Sequence, residues 1–235
     1  WAGILLARTL PRSLLKQVLL PWLPPLRIAF FLRANSNLYN TLNSRRIDFA
    51  FHDLIKGIDV AIPALNANPP HALVAPATVL SALAAAKTEG RLHIQPDHII
   101  SVAEVLEPED HDRITQAFQR SPHQIYQATE GFLGYTCESG NLHLNETHLH
   151  IEKCWLDDEQ TRFQPVITDF SRKTQLIVRY QLNDILRIAP QPCSCGRAET
   201  TIAAIEGRCD EILWMRGINS GQPVAIYPDI LRRTM

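Results

Sequence analysis

ALVAPATVLSALAAAKTEGRLHIQPDHIISVA, residues 72–103, decides the fold. It reads as a short apolar run (Ala72–Ala75), then Pro76 at the head of an Ala/Leu-rich helix reaching about Glu89, then Gly90, then a second apolar run over His98–Ala103. Proline is favoured at a helix start, where its missing N–H has no intrahelical partner to lose, and glycine is favoured just past a helix end. Strand, helix, strand is the unit that lays strands parallel with a helix across them. The alternation extends in both directions. Upstream, Arg27–Leu32 (RIAFFL) and Arg46–Phe51 are strand candidates, and Leu54, Ile58, Ile62 and Leu65 give Asp53–Leu65 a helical spacing. Residues 1–20 read as a helix broken near Pro11, and Asn35, Ser36 and Asn37 offer caps for a short helix. Downstream, Pro108–Arg120 is a helix with Glu109, Asp110 and Asp112 near its positive end, and Gln124–Gln127 is a further strand.

Past about Gly134 the helical periodicity fades. Leu142–Leu144, Leu149–Ile151, Val166–Asp169, Ile177–Tyr180, Ile185–Ile188 and Thr201–Ile205 are short strand candidates between turns. The expected architecture is therefore α/β: a largely parallel sheet with flanking helices, followed by a small β-rich, distorted barrel-like subdomain. The expected divisions are residues 1–135, 136–213 and an incomplete 214–235.

A net charge of -1 supplies no global field for nucleic acid or an anionic membrane, so a phosphate ligand needs local donors. The apolar N-terminal stretch is interrupted by Arg8, Pro11, Arg12, Lys16, Pro21, Pro24 and Pro25, which predicts neither a membrane span nor a signal peptide. Five cysteines are an odd number for a disulfide framework, and with no export signal the expected compartment is the reducing cytoplasm.

Four motifs carry chemistry. YQATEG (Tyr126–Gly131) closes a strand of the α/β half, where ligands gather at strand C-termini; it offers an aromatic face, a hydroxyl and a carboxylate. Tyr126 can stack on an adenine, Thr129 can donate to a phosphate oxygen and Glu130 can hold magnesium. A strand-to-turn junction with a surface glutamate is the plain alternative. RYQLNDIL (Arg179–Leu186) puts Asp184 in a turn between two β runs, able to accept both hydroxyls of a ribose or merely to serve its own turn. IEGRCDEIL (Ile205–Leu213) offers Arg208 to a phosphate or ribose and Asp210 as a swivel; a surface Arg–Asp pair is the plain alternative. Cys193 and Cys195 make a Cys-x-Cys turn that needs two more ligands to close a zinc site, and Cys137 and His143 flank the ESGN turn in a Cys-x₅-His spacing. Buried free thiols beside an unrelated histidine are the alternative. Cys154 and Cys209 read as plain thiols, and the other eight histidines show no ligand spacing.

The order of these motifs resembles the adenylate-forming enzymes. The wording HQIYQATEGFL, LHLNE, RYQLNDIL and PCSCGR is similar to the phenylacetate–CoA ligase branch, and most of all to the coenzyme F synthetase-related adenylating proteins, over about Arg27 to Leu213. The resemblance implies an interior fragment of the large N-terminal domain of such an enzyme, which activates a small-molecule carboxylic acid with ATP and hands it to an acceptor, typically coenzyme A. It implies that Tyr126 stacks on adenine, Thr129 binds the AMP phosphate, Glu130 coordinates magnesium, Asp184 binds the ribose with help from Arg208, and Asp210 sits at a hinge. Thr129 and Glu130 are then the catalytic pair. Val102, Ala103 and Glu104 match the segment along the adenine, RIAFFL and Ala75–Leu80 match regions lining the acyl pocket, and Cys137, His143, Cys193 and Cys195 match a structural zinc site. The phosphate loop expected ahead of the first helix and the lysine-bearing C-terminal domain are missing, and Asn183 stands where many relatives have glycine. The 235 residues alone are therefore expected to be inactive. A non-catalytic nucleotide- or zinc-binding module, or an interaction protein keeping the fold, is the alternative. No nucleic-acid or membrane partner is expected, and a homodimer is compatible with the sequence without being required by it.

Overall fold

Five short runs rich in β-branched and large apolar residues pair in parallel: β1 (Leu26–Leu32), β2 (Ile47–Asp53), β3 (Ala72–Ala75), β4 (His98–Ser101) and β5 (His123–Ala128). Their spatial order is β2-β1-β3-β4-β5, and β6 (Gly131–Thr136) continues the sheet antiparallel to β5. The computed structural model describes residues 8–33, 43–216 and 222–227 of the chain, which divides into two compact units, Trp1–Gly140 and Asn141–Met235.

The first unit is a layered α/β fold because side chains alternate across each strand. Ala29, Phe31, Leu73, Ala75 and Ile99 point to the face covered by α2 (Ile58–Ala67), α3 (Ala77–Thr88) and α4 (Pro108–Phe118), through Ile62, Leu65, Leu80, Leu83, Ile114 and Phe118. Leu26, Ile28, Ala72, Val74 and Ile100 point the other way, against Leu10 and Leu14, the latter on α1 (Arg12–Leu19). No helix among the described residues is long and apolar enough to cross a membrane.

Several expected elements shift for local reasons. The break expected near Pro11 is present: residues 8 and 9 are helical, the chain bends at Leu10, and α1 starts directly after Pro11 and ends at Leu19; residues 1–7 and the expected caps Asn35–Asn37 lie outside the described residues. The helix expected over Asp53–Leu65 is two pieces. The Asp53 carboxylate accepts the Ile55 amide and starts a single 3₁₀ turn, Gly57 at φ +80° redirects the chain, and α2 begins only at Ile58. Strand β4 stops at Ser101, two residues short of expectation, where Ala103 adopts φ +65°. The strand β6 was not expected. It forms because Gln124–Gln127 continues to Ala128 and folds back through Thr129 and Glu130 alone, Ala128 pairing with Gly131.

Arg46, just before β2, holds the end of α1. Its guanidinium donates to the carbonyls of Gln17, Val18, Leu20, Pro21 and Leu23, which include acceptors left over at a helix C-terminus. Arg46→Ala is expected to destabilise the chain by about 2 kcal/mol, the scale of losing hydrogen bonds from a charged donor. Urea denaturation of the two proteins measures it, with Arg45→Ala as the neighbouring control.

The second unit is antiparallel. Strands β7 (Leu142–Leu144), β12 (Thr201–Arg208), β11 (Asp184–Ile188) and β9 (Arg162–Asp169) lie side by side in that order, and β8 (Leu149–Trp155) and β10 (Ile177–Gln181) both pair with β9. Leu144, Phe163, Ile167, Ile185, Leu186 and Ile202 are buried in it. A separate two-stranded sheet joins β13 (Leu213–Arg216) to β14 (Pro223–Ile226).

Candidate functional site

The thiol and imidazole ligands expected for zinc come together. The ligand atoms of Cys137, His143, Cys193 and Cys195 all lie within 4.8 Å of one another. His143 is held on β7, which pairs with β12 through Thr201↔His143. Its Nδ1–H donates to the Glu199 carbonyl at 3.0 Å, because a carbonyl can only accept, and this leaves Nε2 bare. Nε2 is 3.5 Å from the Cys195 sulfur. A tetrahedral zinc with its usual bond lengths has an S···N edge of about 3.5 Å. Cys193 and Cys195 sit in a turn closed by Gly196, whose φ of +74° favours glycine. The Cys193 sulfur accepts the Asn141 side-chain amide at 3.3 Å and the Cys195 backbone amide at 3.5 Å, donors that stabilise a thiolate. Cys137 is buried in the turn that follows β6. The donor set of three sulfurs and one imidazole fits zinc rather than magnesium.

The residues expected around a nucleotide fall in two groups. In the first unit, Tyr126, Thr129, Glu130, Val102, Ala103 and Glu104 lie on or just past the C-terminal ends of β4 and β5, the edge where α/β sheets bind ligands. The Tyr126 side chain lies mostly inside, at 7% exposure. Thr129 is exposed and Glu130 half-buried in the β5–β6 turn. Val102 is half-buried and tied back by its amide to the Ala75 carbonyl at 3.1 Å. Ala103 stands in the left-handed region, a cost of about 1 kcal/mol for a non-glycine residue. Glu104 does something the sequence did not suggest. Its carboxylate accepts both the amide and the hydroxyl of Thr78 at 2.9 Å, capping the N-terminal turn of α3.

In the second unit the structure pairs Asp184 with Arg208. Asp184 opens β11, Arg208 ends β12, and they are register partners, with Arg208 Nε 3.8 Å from Asp184 Oδ1. Asn183 donates its side-chain amide to Asp210 at 3.2 Å, and its carbonyl accepts the Cys209 amide at 2.7 Å. Burial, then the nearby Asp210, Asp184 and Cys154, pushes the Cys209 thiol up, so it stays protonated, as a plain thiol would. Sequence reading missed Glu206, whose side chain is fully buried between Arg162 and Arg187. The available signal was an acidic residue among the alternating small apolar positions of Thr201–Arg208.

No protein-family model matches the chain, and no curated protein matches it. Solved structures do. A 2-hydroxyisobutyryl-CoA ligase in the postadenylation state, in complex with an acyl adenylate, aligns with a TM-score of 0.69 at 16% identity, over 90% of this chain and 49% of that one. An anthranilate CoA ligase in complex with anthranoyl-AMP aligns at 0.61 and 12% identity, over 90% and 45%. A coronafacic acid ligase from Pectobacterium brasiliense aligns at 0.58 and 12% identity, over 94% and 47%. The chain has the fold of the adenylate-forming ligases. It spans about half the length of these solved relatives.

Proposed function

We propose that this chain is the carboxylate-activating part of an acid–thiol ligase of the phenylacetate–CoA ligase-like branch. The observation that carries the reading is the register pairing of Asp184 with Arg208, two distant motif residues, in a chain with this fold. Residues 1–135 are the α/β adenylation part, 136–213 the β-rich part and 214–235 the start of the hinge region.

The chemistry is attack of the substrate carboxylate oxygen on the α-phosphorus of ATP. Pyrophosphate leaves and an acyl-adenylate forms. A thiol, coenzyme A in this reading, then attacks the acyl carbonyl and expels AMP. The protein's contribution is placement and electrostatics. Tyr126 stacks on the adenine, Thr129 donates its hydroxyl to the AMP phosphate, and Asp184, steered by Arg208, accepts the ribose hydroxyls. Glu130 would hold magnesium, for which one protein carboxylate beside the substrate's phosphates is a usual ligand set; the ion supplies positive charge to those phosphates. Cys137, His143, Cys193 and Cys195 would hold a structural zinc, in a reducing compartment such as the cytoplasm.

Isothermal titration of the chain with AMP tests the reading. Asp184→Ala is expected to weaken AMP binding by tenfold or more, about 1.5 kcal/mol or above for a charge-assisted hydrogen bond. Equal affinity in the two proteins would remove Asp184 from the ribose site. A second reading, a zinc-binding module without catalysis, is favoured by the Cys/His cluster, which needs no nucleotide. It predicts zinc uptake without AMP binding.

A further inference from the structure

We propose that Glu206 is the positioning residue for the Asp184–Arg208 pair, an inference that rests on the ribose role given to that pair. The strands β11 and β12 pair as Leu186↔Ile205, then Ile185↔Gly207, then Asp184↔Arg208. Glu206 is thus the extra residue of a β-bulge, opposite no residue of β11. A bulge changes everything beyond it by one position. Without it, continuing from Leu186↔Ile205 would set Arg208 opposite Asn183 and on the other face. Gly207, at φ +123°, gives the backbone the freedom the bulge requires.

What draws Glu206 inward is charge. Arg162 on β9 and Arg187 on β11 are themselves register partners, and like charges directly opposite are unfavourable. The Glu206 carboxylate, 0% exposed, accepts from Arg162 Nε and Arg187 Nε, each at 2.6 Å. A buried carboxylate is tolerated only when paired and hydrogen-bonded, and both of its oxygens are taken. Asp157, 3.8 Å from Arg162, balances the second guanidinium, and the Tyr227 ring lies 4.6 Å from the Arg162 guanidinium. The cluster therefore ties three strands to one bulged residue and, through the register, brings Arg208 to Asp184.

The test compares AMP with 2′,3′-dideoxy-AMP, which lacks the hydroxyls Asp184 would accept, on the full chain by isothermal titration. E206Q keeps the shape and removes the charge. It is expected to weaken AMP binding about tenfold, the scale of one charge-assisted hydrogen bond, and to leave dideoxy-AMP binding unchanged. Combining it with Asp184→Ala is expected to add no further loss. E206D, which keeps the charge, is expected to recover part of the AMP affinity. Should E206Q not fold, R187Q, which leaves Glu206 one guanidinium, is expected to give the same selective loss. Equal losses for both nucleotides, or none, would overturn the positioning role while leaving the ribose role of Asp184 standing. A wild-type chain that binds the two nucleotides equally well would remove the ribose role itself.

Discussion

Replacing Cys193 with serine is expected to strip the chain of one zinc ion and to melt its second unit well below the wild-type temperature. Structural zinc contributes folding free energy directly, on the order of 10 kcal/mol in small peptides that have no other core. Here Leu144, Phe163, Ile167, Ile185, Leu186 and Ile202 provide a core of their own, so the loss should be smaller, on the order of several kcal/mol. The wild-type chain, purified without chelator, should show about one zinc per molecule by elemental analysis. A strong chelator should reproduce the effect of the substitution and added zinc should reverse it in the wild type alone. Cys154→Ser, at an exposed thiol outside the cluster, is the control and should change neither zinc content nor melting. Metal-free wild-type protein with unaltered melting would show that the four side chains are packed without a metal role.

Acid is expected to weaken the first unit between pH 6.5 and about 4. His98 and His123 open β4 and β5 with their ring centres 4.5 Å apart. No donor among the described residues reaches His98 Nε2 or His123 Nδ1. Burial, and secondarily the neighbouring His123, lowers the His98 pKa to about 4, and burial lowers that of His123 as well. The sign follows from proton counting. An unfolded histidine takes up its proton near pH 6.5 and the folded His98 only near 4, so between these values the unfolded state binds more protons and stability falls as pH falls. The separation corresponds to about 3 kcal/mol from His98, which is only 6% exposed. Urea unfolding at pH 7.5, 5.5 and 4.5 should show the decline, and His98→Phe should flatten it. A decline of the same size in His98→Phe would assign the acid sensitivity elsewhere.

The α/β half was legible because its punctuation is local. Pro76 and Gly90 bracket α3, and the β3 and β4 runs are too short and too apolar to be anything but buried strands. The elements that shifted depend on backbone choices that hydrophobic spacing does not encode, such as Gly57 breaking a run whose apolar residues remain in helical phase. The convergence of the three thiols and the imidazole was legible for the same reason, since Cys137 and His143 flank one turn and Cys193 and Cys195 share another. Glu206 was not, because its role comes from Arg162 and Arg187, residues on two other strands, and from a bulge that only pairing reveals. In sequence Glu104 belongs to the segment that the resemblance sets along the adenine; its bonds to Thr78 depend on β4 and α3 being neighbours.

The connection through Thr129 and Glu130 restricts how this corner of the molecule can change over evolution or by engineering. With two residues closing the β5–β6 hairpin, one inserted amino acid would exchange the two faces of β6, a strand buried along its whole length, or force a new kink. Novelty there must come by swapping side chains at a constant loop length, so libraries at this turn should randomise identity at these two positions and leave the number of residues alone.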